Sequence, residues 1–149
     1  MTAGGPITGA SIVVHRRLEW AETDAAGHNH FTAAFRWMEE AEHQLWRCLG
    51  LPADFTERLP RVKVEMEYTS RIVFGDELTV TVRVGAVGRA SCEFLVAVDK
   101  SDGERAATGR YVVVHVSDTA SGSTPWPDDL RTALLAGTTW TVTPRILES

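Results

Sequence analysis

The chain has 149 residues, of which 44% are hydrophobic and 23% charged, and its formal net charge is −5 at pH 7. This length suits one domain with a single core, and the acidic balance argues against nucleic acid as a partner, because nucleic-acid binders usually present a basic face. No apolar run approaches the roughly 20 residues that cross a membrane, so we expect neither a membrane span nor a membrane partner.

The first ten residues, MTAGGPITGA, lack the basic start and the apolar centre of a signal peptide, which predicts a flexible leader over residues 1–10. The two cysteines, Cys48 and Cys92, lie far apart in apolar patterns. Two buried free thiols in a reducing compartment are favoured over a structural disulfide, and the predicted location is cytoplasmic. The sequence has no CxxC and no HExxH motif, and we predict neither a metal nor a cofactor.

A strand and one long helix form the first half of the chain. Residues 11–20 are rich in β-forming side chains and predict the first strand. From residue 32 to residue 49 apolar residues recur at helical spacing, which predicts a helix that ends where Gly50 is followed by Pro52. Its apolar stripe consists of Ala34, Met38, Ala41, Leu45 and Cys48.

Beyond the helix the apolar period changes to two, as in antiparallel strands with one buried face. The predicted strands cover residues 61–68, 77–84, 90–99 and 106–117, and a short helix at 128–135 precedes a tail at 136–149. In the first of these strands, the apolar face is formed by Val62, Val64, Met66 and Tyr68. Since repeated βαβ units are absent, the order predicts an α+β fold in which a curved antiparallel sheet wraps one central helix. Apolar residues on both faces of 90–117 indicate that another subunit covers part of the sheet.

The stretch most informative about chemistry lies between the first strand and the helix. An acid-bearing turn over residues 22–27 contains Asp24, and the polar triplet His28-Asn29-His30 leads from it into the helix. A helix start leaves unpaired N–H groups that stabilise negative charge. A carboxylate beside them is expected where a carbonyl is attacked by water or by the acid itself. An aspartate in a glycine-containing turn is also ordinary loop chemistry, so both interpretations stay open on these residues alone.

Three segments together resemble a known family. They are the Asp-x-x-Gly-His run of residues 24–28, the helical Trp-Met-Glu-Glu-Ala of residues 37–41, and residues 71–78 with their Gly75-Asp76 turn. The chain resembles the hotdog-fold acyl thioesterases of the 4-hydroxybenzoyl-CoA thioesterase-like branch, with matching spacing from about residue 12 to about residue 134. The resemblance implies a single hotdog domain, placed at residues 11–135, and hydrolysis of a thioester of coenzyme A or of an acyl carrier protein.

The resemblance also implies roles for individual residues. Asp24 would act as nucleophile or general base, and the backbone N–H at the helix start, at about Phe31, would polarise the thioester carbonyl. Active sites of this branch lie between two subunits, which implies a homodimer or a homotetramer. Glu39 is a second candidate catalytic acid, with a solvated helix residue as the alternative.

Three further residues are candidates for substrate binding. His28 and His30 either contact the substrate or serve as hydrogen-bonding loop and helix-cap groups. Glu42 stands where many members of the family carry an arginine, on the apolar face of the helix, where an acid is costly unless it is paired or functional. It is therefore either paired with an arginine from the sheet or placed in the site.

Two other functions compete with hydrolysis. Hotdog-fold dehydratases and hydratases need a histidine paired with an acid in patterns such as Asp-x-Asn-Pro-x-His, which this sequence lacks. A non-catalytic acyl-thioester binding module would keep the fold without the chemistry, and the intact Asp24 argues against it. The basic candidates for the coenzyme phosphates are Arg61, Lys63, Arg71, Arg89 and Arg110, and the sequence favours none of them over ordinary solvated residues.

Overall fold

A computed structural model describes residues 9–117 and 122–143. Its helices and strands are β1 (Ser11–Arg17), α1 (Ala33–Cys48), β2 (Arg61–Tyr68), β3 (Glu77–Val87), β4 (Ser91–Lys100), β5 (Arg105–Val114), α2 (Asp128–Leu135) and β6 (Thr139–Val142). Short 3₁₀ turns occur at Trp20–Glu22 and Ala53–Arg58. Most of the predicted leader lies outside the described residues, as do residues 118–121 and 144–149.

The strands form one sheet in the order β2-β5-β4-β3-β1-β6. All neighbours pair antiparallel except β1 and β6, which are parallel. The central strands bury alternate residues, as the period of two requires, with Val80 and Val82 of β3 facing the same side as Phe94 and Val96 of β4. This mostly antiparallel sheet with one long helix confirms the predicted α+β architecture.

The core lies between the sheet and α1, which packs against β1 and β3. The helix buries Trp37, Met38, Ala41, Leu45 and Trp46. Each large apolar side chain removed from water in this way contributes about 1.5–3 kcal/mol to folding. Cys48 and Cys92 are both free thiols, and Cys92 is buried as expected, whereas Cys48 is only partly buried. Among the helices in the described part of the chain, none is long and apolar enough to cross a bilayer.

The sheet continues past residue 135, into the segment that the sequence predicts to be a tail. Strand β6 pairs with β1, with Ile12 opposite Trp140. Two backbone hydrogen bonds, both 2.9 Å long, also join the start of β1 to the segment that leads into β6. Ala10 N–H donates to the carbonyl of Leu134, and Ser11 N–H donates to the carbonyl of Thr138. Strand β6 has only four residues, which is too short for the alternation of apolar side chains to stand out.

Strand β2 differs from its predicted half-buried state. It has the predicted bounds, but it is the edge strand, and Val62, Val64 and Tyr68 are 62%, 38% and 42% exposed. Strand β2 has only one neighbour in the sheet, β5, and α1 packs chiefly against β1 and β3, near the opposite edge. The expected burial of Val62, Val64 and Tyr68 is wrong for the single chain, whereas Met66 is partly buried against the core.

Candidate active site

The turn that carries Asp24 is held by the aspartate itself. Its Oδ1 accepts the backbone N–H groups of Ala26 at 2.9 Å and His28 at 3.2 Å, while its own N–H donates to the His28 carbonyl at 2.7 Å. Gly27 has a φ of 81°, a conformation that glycine adopts without strain. These bonds fix the carboxylate on the loop. Among the described residues, the bonds to its side chain end on Oδ1, so Oδ2 is available for other contacts.

The same contacts keep Asp24 ionised. The Ala26 N–H lowers the pKa of Asp24 below its ordinary value of 3.8, the His28 N–H adds to this, and partial desolvation opposes both. The side chain is exposed to solvent. Asp24 is therefore a carboxylate at neutral pH, the form that a nucleophile or general base requires.

Two segments that are distant in sequence form a cavity of about 470 Å³ around this acid. The lining residues are Asp24, His28, Asn29, Phe31, Tyr68, Thr69, Ser70 and Arg71. The segments are joined by the bond from Asn29 N to the Ile72 carbonyl, 2.8 Å, and by the bond from Ile72 N to Asn29 Oδ1, 3.2 Å. The loop before α1 and the end of β2 thus form the two walls of one cavity.

The Phe31 backbone N–H lies at the predicted place, just before the helix. Helix α1 begins at Ala33 with Thr32 as its N-cap. The hydrogen bonds of residues 9–117 and 122–143 include none donated by Phe31 N–H, whereas the Phe31 carbonyl accepts the hydroxyl of Tyr68. A donor without a protein acceptor, beside an ionised carboxylate, is suited to a substrate oxygen on which negative charge develops.

The two histidines are separated. His28 lines the cavity with Asp24. His30 lines a different cavity of about 230 Å³, its Nδ1 lies 2.7 Å from Thr32 Oγ1, and the same atom accepts the Thr32 N–H at 3.2 Å. His30 therefore caps the helix start, which is the alternative to substrate contact that the sequence left open.

The structure places Glu42 in the core rather than in the cavity. It is 0% exposed and accepts hydrogen bonds from Tyr111 Oη and Trp46 Nε1, both at 2.8 Å, and from the guanidinium of Arg61. These donors satisfy a carboxylate that burial would otherwise make costly. Glu42 is thus paired with an arginine of the sheet, and we no longer assign it to substrate binding.

Glu39 is also outside the cavity that holds Asp24. Its side chain is 53% exposed, and its Oε2 lies 3.7 Å from Arg61 Nη2. The lining residues of the cavity within this chain do not include it. Its predicted role as a second acid has no support from contacts among the described residues of one chain.

Glu22 is a residue of the site region whose importance the sequence did not reveal. Its buried carboxylate accepts Arg16 Nη2 at 2.6 Å, Trp37 Nε1 at 2.9 Å and the Glu19 N–H at 3.0 Å. Its carbonyl accepts the His30 N–H at 2.7 Å. Glu22 therefore ties both ends of the Asp24 loop to β1 and α1, an arrangement that no local pattern in the sequence signals.

Tyr68 and Ser70 were also not predicted as site residues, and Arg71 was only one of five basic candidates for the coenzyme phosphates. They lie 44 to 47 residues after Asp24 in sequence, and the two hydrogen bonds between Asn29 and Ile72 hold their segment against the Asp24 loop. No group of three or more histidine, cysteine or acidic side chains is placed to hold a metal ion in the part of the chain that the structure describes.

Comparison with known proteins identifies the family. The model of the thioesterase-like superfamily matches residues 18–134. The chain belongs to this superfamily. It is 25% identical, over 79% of its length and 81% of the other chain, to the uncharacterized protein YsmA of Bacillus subtilis (strain 168). Membership confirms the predicted family and supports thioester hydrolysis as the class of activity.

Solved structures show the same fold. The 1,4-dihydroxy-2-naphthoyl-CoA thioesterase Slr0204 from Synechocystis superposes with a TM-score of 0.76 at 18% identity, covering 83% of this chain and 95% of that one. A thioesterase from Thermus thermophilus, solved with coenzyme A and Zn, gives a TM-score of 0.75 at 24% identity, with coverages of 82% and 90%. The predicted hotdog fold is confirmed.

Proposed function

We propose that this chain hydrolyses acyl thioesters of coenzyme A and that Asp24 carries the hydrolytic step. The observation that supports this most is one cavity lined by both Asp24, an ionised carboxylate, and Phe31, whose backbone N–H has no acceptor among the described residues. The two similar thioesterases, one named for a coenzyme A thioester and one solved with coenzyme A, favour this carrier over an acyl carrier protein.

In the proposed reaction the thioester carbonyl oxygen accepts the Phe31 N–H, so that the negative charge formed on it is stabilised. Asp24 Oδ2 attacks the carbonyl carbon, the carbon–sulfur bond breaks, and the thiolate leaves with the electron pair to give a mixed anhydride. Water then attacks the anhydride, which releases the carboxylic acid and restores the Asp24 carboxylate, and the second proton of the water neutralises the thiolate. In the alternative sequence Asp24 takes a proton from a water molecule that attacks the thioester directly.

One catalytic carboxylate is enough for this hydrolysis, because a thiolate is a good leaving group and needs no strong general acid. His28 lies in the same cavity and is the remaining candidate for substrate contact. Glu39 remains a rival catalytic acid, which would have to reach the site of another subunit.

We also propose that the chain works as a homodimer or homotetramer in the cytoplasm. The exposed apolar residues of β2 support association, since single chains rarely leave such an edge strand uncovered. Tyr68 ends β2 and lines the cavity, so a partner seated on β2 would also border the site. Light scattering should give at least twice the mass of one chain, and a monomer at micromolar concentration would contradict the composite site.

The activity is tested with a panel of aromatic, fatty and β-keto acyl groups, each on coenzyme A and on an acyl carrier protein. Release of free thiol supports hydrolysis and identifies the carrier. Addition or loss of water without thiol release would instead indicate a dehydratase or hydratase, and saturable binding without turnover a binding module. A complex with an unreactive substrate analogue tests the donor, because a carbonyl oxygen far from Phe31 N would refute its assignment.

A further inference from the structure

We propose that Arg71 binds a phosphate group of the thiol carrier. This inference rests on the proposed function, since it concerns how the same cavity recognises the part of the substrate that is not hydrolysed. It depends on how the basic residues near the site are paired.

Three of the five basic candidates already have acidic partners. The pairs join Arg61 to Glu42 and Glu39, Lys63 to Glu65 at 3.0 Å, and Arg110 to Glu93 at 2.6 Å and Glu65 at 3.5 Å. Within residues 9–117 and 122–143, Arg71 and Arg89 have no ion pair. Of the five, only Arg71 lines the cavity that contains Asp24.

The backbone of Arg71 is fixed although its side chain is exposed. Its carbonyl accepts Lys100 Nζ at 3.1 Å, and the next residue, Ile72, exchanges two hydrogen bonds with Asn29. Folding has therefore already ordered the chain beside a guanidinium that has no acidic partner among the described residues. A ligand that binds there has only the side chain to order, which lowers the entropic cost of binding.

The chemistry of the guanidinium selects an oxyanion. A guanidinium is a cation that presents N–H groups in a planar fork, which matches two oxygens of a phosphate. The protein as a whole has a formal net charge of −5, which repels an anionic coenzyme. An uncompensated positive group in the cavity offsets this repulsion at the place where the substrate enters.

The ligand group is a phosphate of the thiol carrier. Both coenzyme A and the phosphopantetheine arm of a carrier protein contain such a phosphate. The acyl group is the less suitable source of the anion, because its carbonyl is already placed at Asp24 and Phe31 and carries no charge of its own. Contact of Arg71 with the acyl part instead of the carrier is one outcome that the following experiment distinguishes.

The test compares one uncharged acyl group on three thiols, namely coenzyme A, pantetheine and N-acetylcysteamine, of which only the first has phosphates. For Arg71→Gln we expect KM for the coenzyme A thioester to rise about 10-fold to 100-fold, the range for losing a charge-assisted hydrogen bond, with kcat within about 2-fold. For the two phosphate-free thioesters kcat/KM should not change. Arg71→Lys keeps the positive charge but loses the planar fork of N–H groups. Its KM for the coenzyme A thioester should therefore lie between those of the wild type and Arg71→Gln.

Arg89→Gln is the matched control, since it removes the same charge from an exposed arginine outside the cavity. If kcat/KM for the coenzyme A thioester falls equally in Arg71→Gln and Arg89→Gln, the effect comes from the change in net charge, and the proposal is overturned. An equal loss on all three thiols would overturn it too, because Arg71 would then act on the acyl group or on the fold.

A failure of the proposed function is recognised separately, by a wild-type protein that releases no thiol from any substrate. In that case calorimetric titration with coenzyme A and with pantetheine still tests Arg71. If the wild type binds coenzyme A more tightly than pantetheine and Arg71→Gln abolishes this difference in affinity, the phosphate contact is supported. A difference in affinity that survives the substitution contradicts it.

Discussion

Asp24 and Glu42 are two carboxylates of the same domain with opposite surroundings. Asp24 is exposed, and the two bonds that hold it come from backbone N–H groups and end on one oxygen. Glu42 is fully buried, and three side-chain donors use both of its oxygens. A carboxylate with a free oxygen in a cavity can act on a ligand, whereas one whose acceptors are all occupied stabilises the fold.

The comparison predicts that the largest effect on stability comes from Glu42→Gln. The amide of glutamine has a single oxygen, so either Trp46, which donates to Oε2, or Tyr111, which donates to Oε1, loses its acceptor. The charge that pairs with Arg61 is lost as well. Removing one partner of a buried ion pair costs about 3–5 kcal/mol, and we expect the lower end because Glu39 also lies near Arg61. Urea denaturation measures the free energy of unfolding.

Glu40→Gln is the control for this loss. Glu40 is on the same helix and pairs with Arg16 at 2.7 Å, but its side chain is 55% exposed, so the substitution should cost at most about 1 kcal/mol. Equal losses for the two variants would mean that burial of Glu42 does not matter.

For Asp24→Asn we expect the largest effect on turnover. Asparagine keeps the oxygen that accepts from Ala26 and His28, so the loop stays in place, while the charge and most of the nucleophilicity are lost. We expect kcat to fall by about 10² or more, with KM little changed. Steady-state assays of thiol release measure kcat and KM.

Glu39→Gln is the rival variant in the same assay. If Asp24→Asn keeps near-normal turnover while Glu39→Gln is inactive, the catalytic acid lies on α1. The assignment of Asp24 as the functional carboxylate would then be wrong.

A smaller effect is expected for Tyr68→Phe. The phenol donates to the Phe31 carbonyl and so joins the end of β2 to the residue whose N–H is the proposed oxyanion donor. Losing one neutral hydrogen bond is worth about 0.5–1.5 kcal/mol, so kcat should fall by no more than about 10-fold. Steady-state kinetics check this, and unchanged kcat would show that the bond does not position Phe31.

The smallest effect is a displacement of the pH profile. The pKa of Asp24 is lowered, so the carboxylate is ionised above that pKa, and activity is lost only as the pH falls through it. The midpoint of the acid limb of kcat/KM should therefore lie below 3.8. Circular dichroism in the same buffers verifies that the protein is folded, and a midpoint clearly above 3.8 would point to another group.

The sequence predicted what depends on local periodicity. The 3.6-residue period placed α1 within one residue at each end, and the two-residue period identified β2 to β5. Strand β6 was missed because four residues, Thr139–Val142, hardly establish a period.

Contacts between distant segments were not predictable in the same way. A helical wheel shows that Glu42 is buried, but not that Tyr111 and Arg61 satisfy it, because these residues come together only when the sheet closes over α1. Arg71 and Tyr68 line the cavity of Asp24 for the same reason. Asp24 could be proposed as the catalytic acid from the sequence because its turn and the helix start are adjacent along the chain.

The two edges of the sheet have unequal lengths, with eight residues in β2 and four in β6 within the described chain. Two β2 strands that pair about a two-fold axis use the same surface on both copies and leave only the short β6 edges outside. A short edge offers few free N–H and C=O groups to a further chain. Growth by strand addition would thus end after one pairing, and the protein would be protected from forming open-ended fibres.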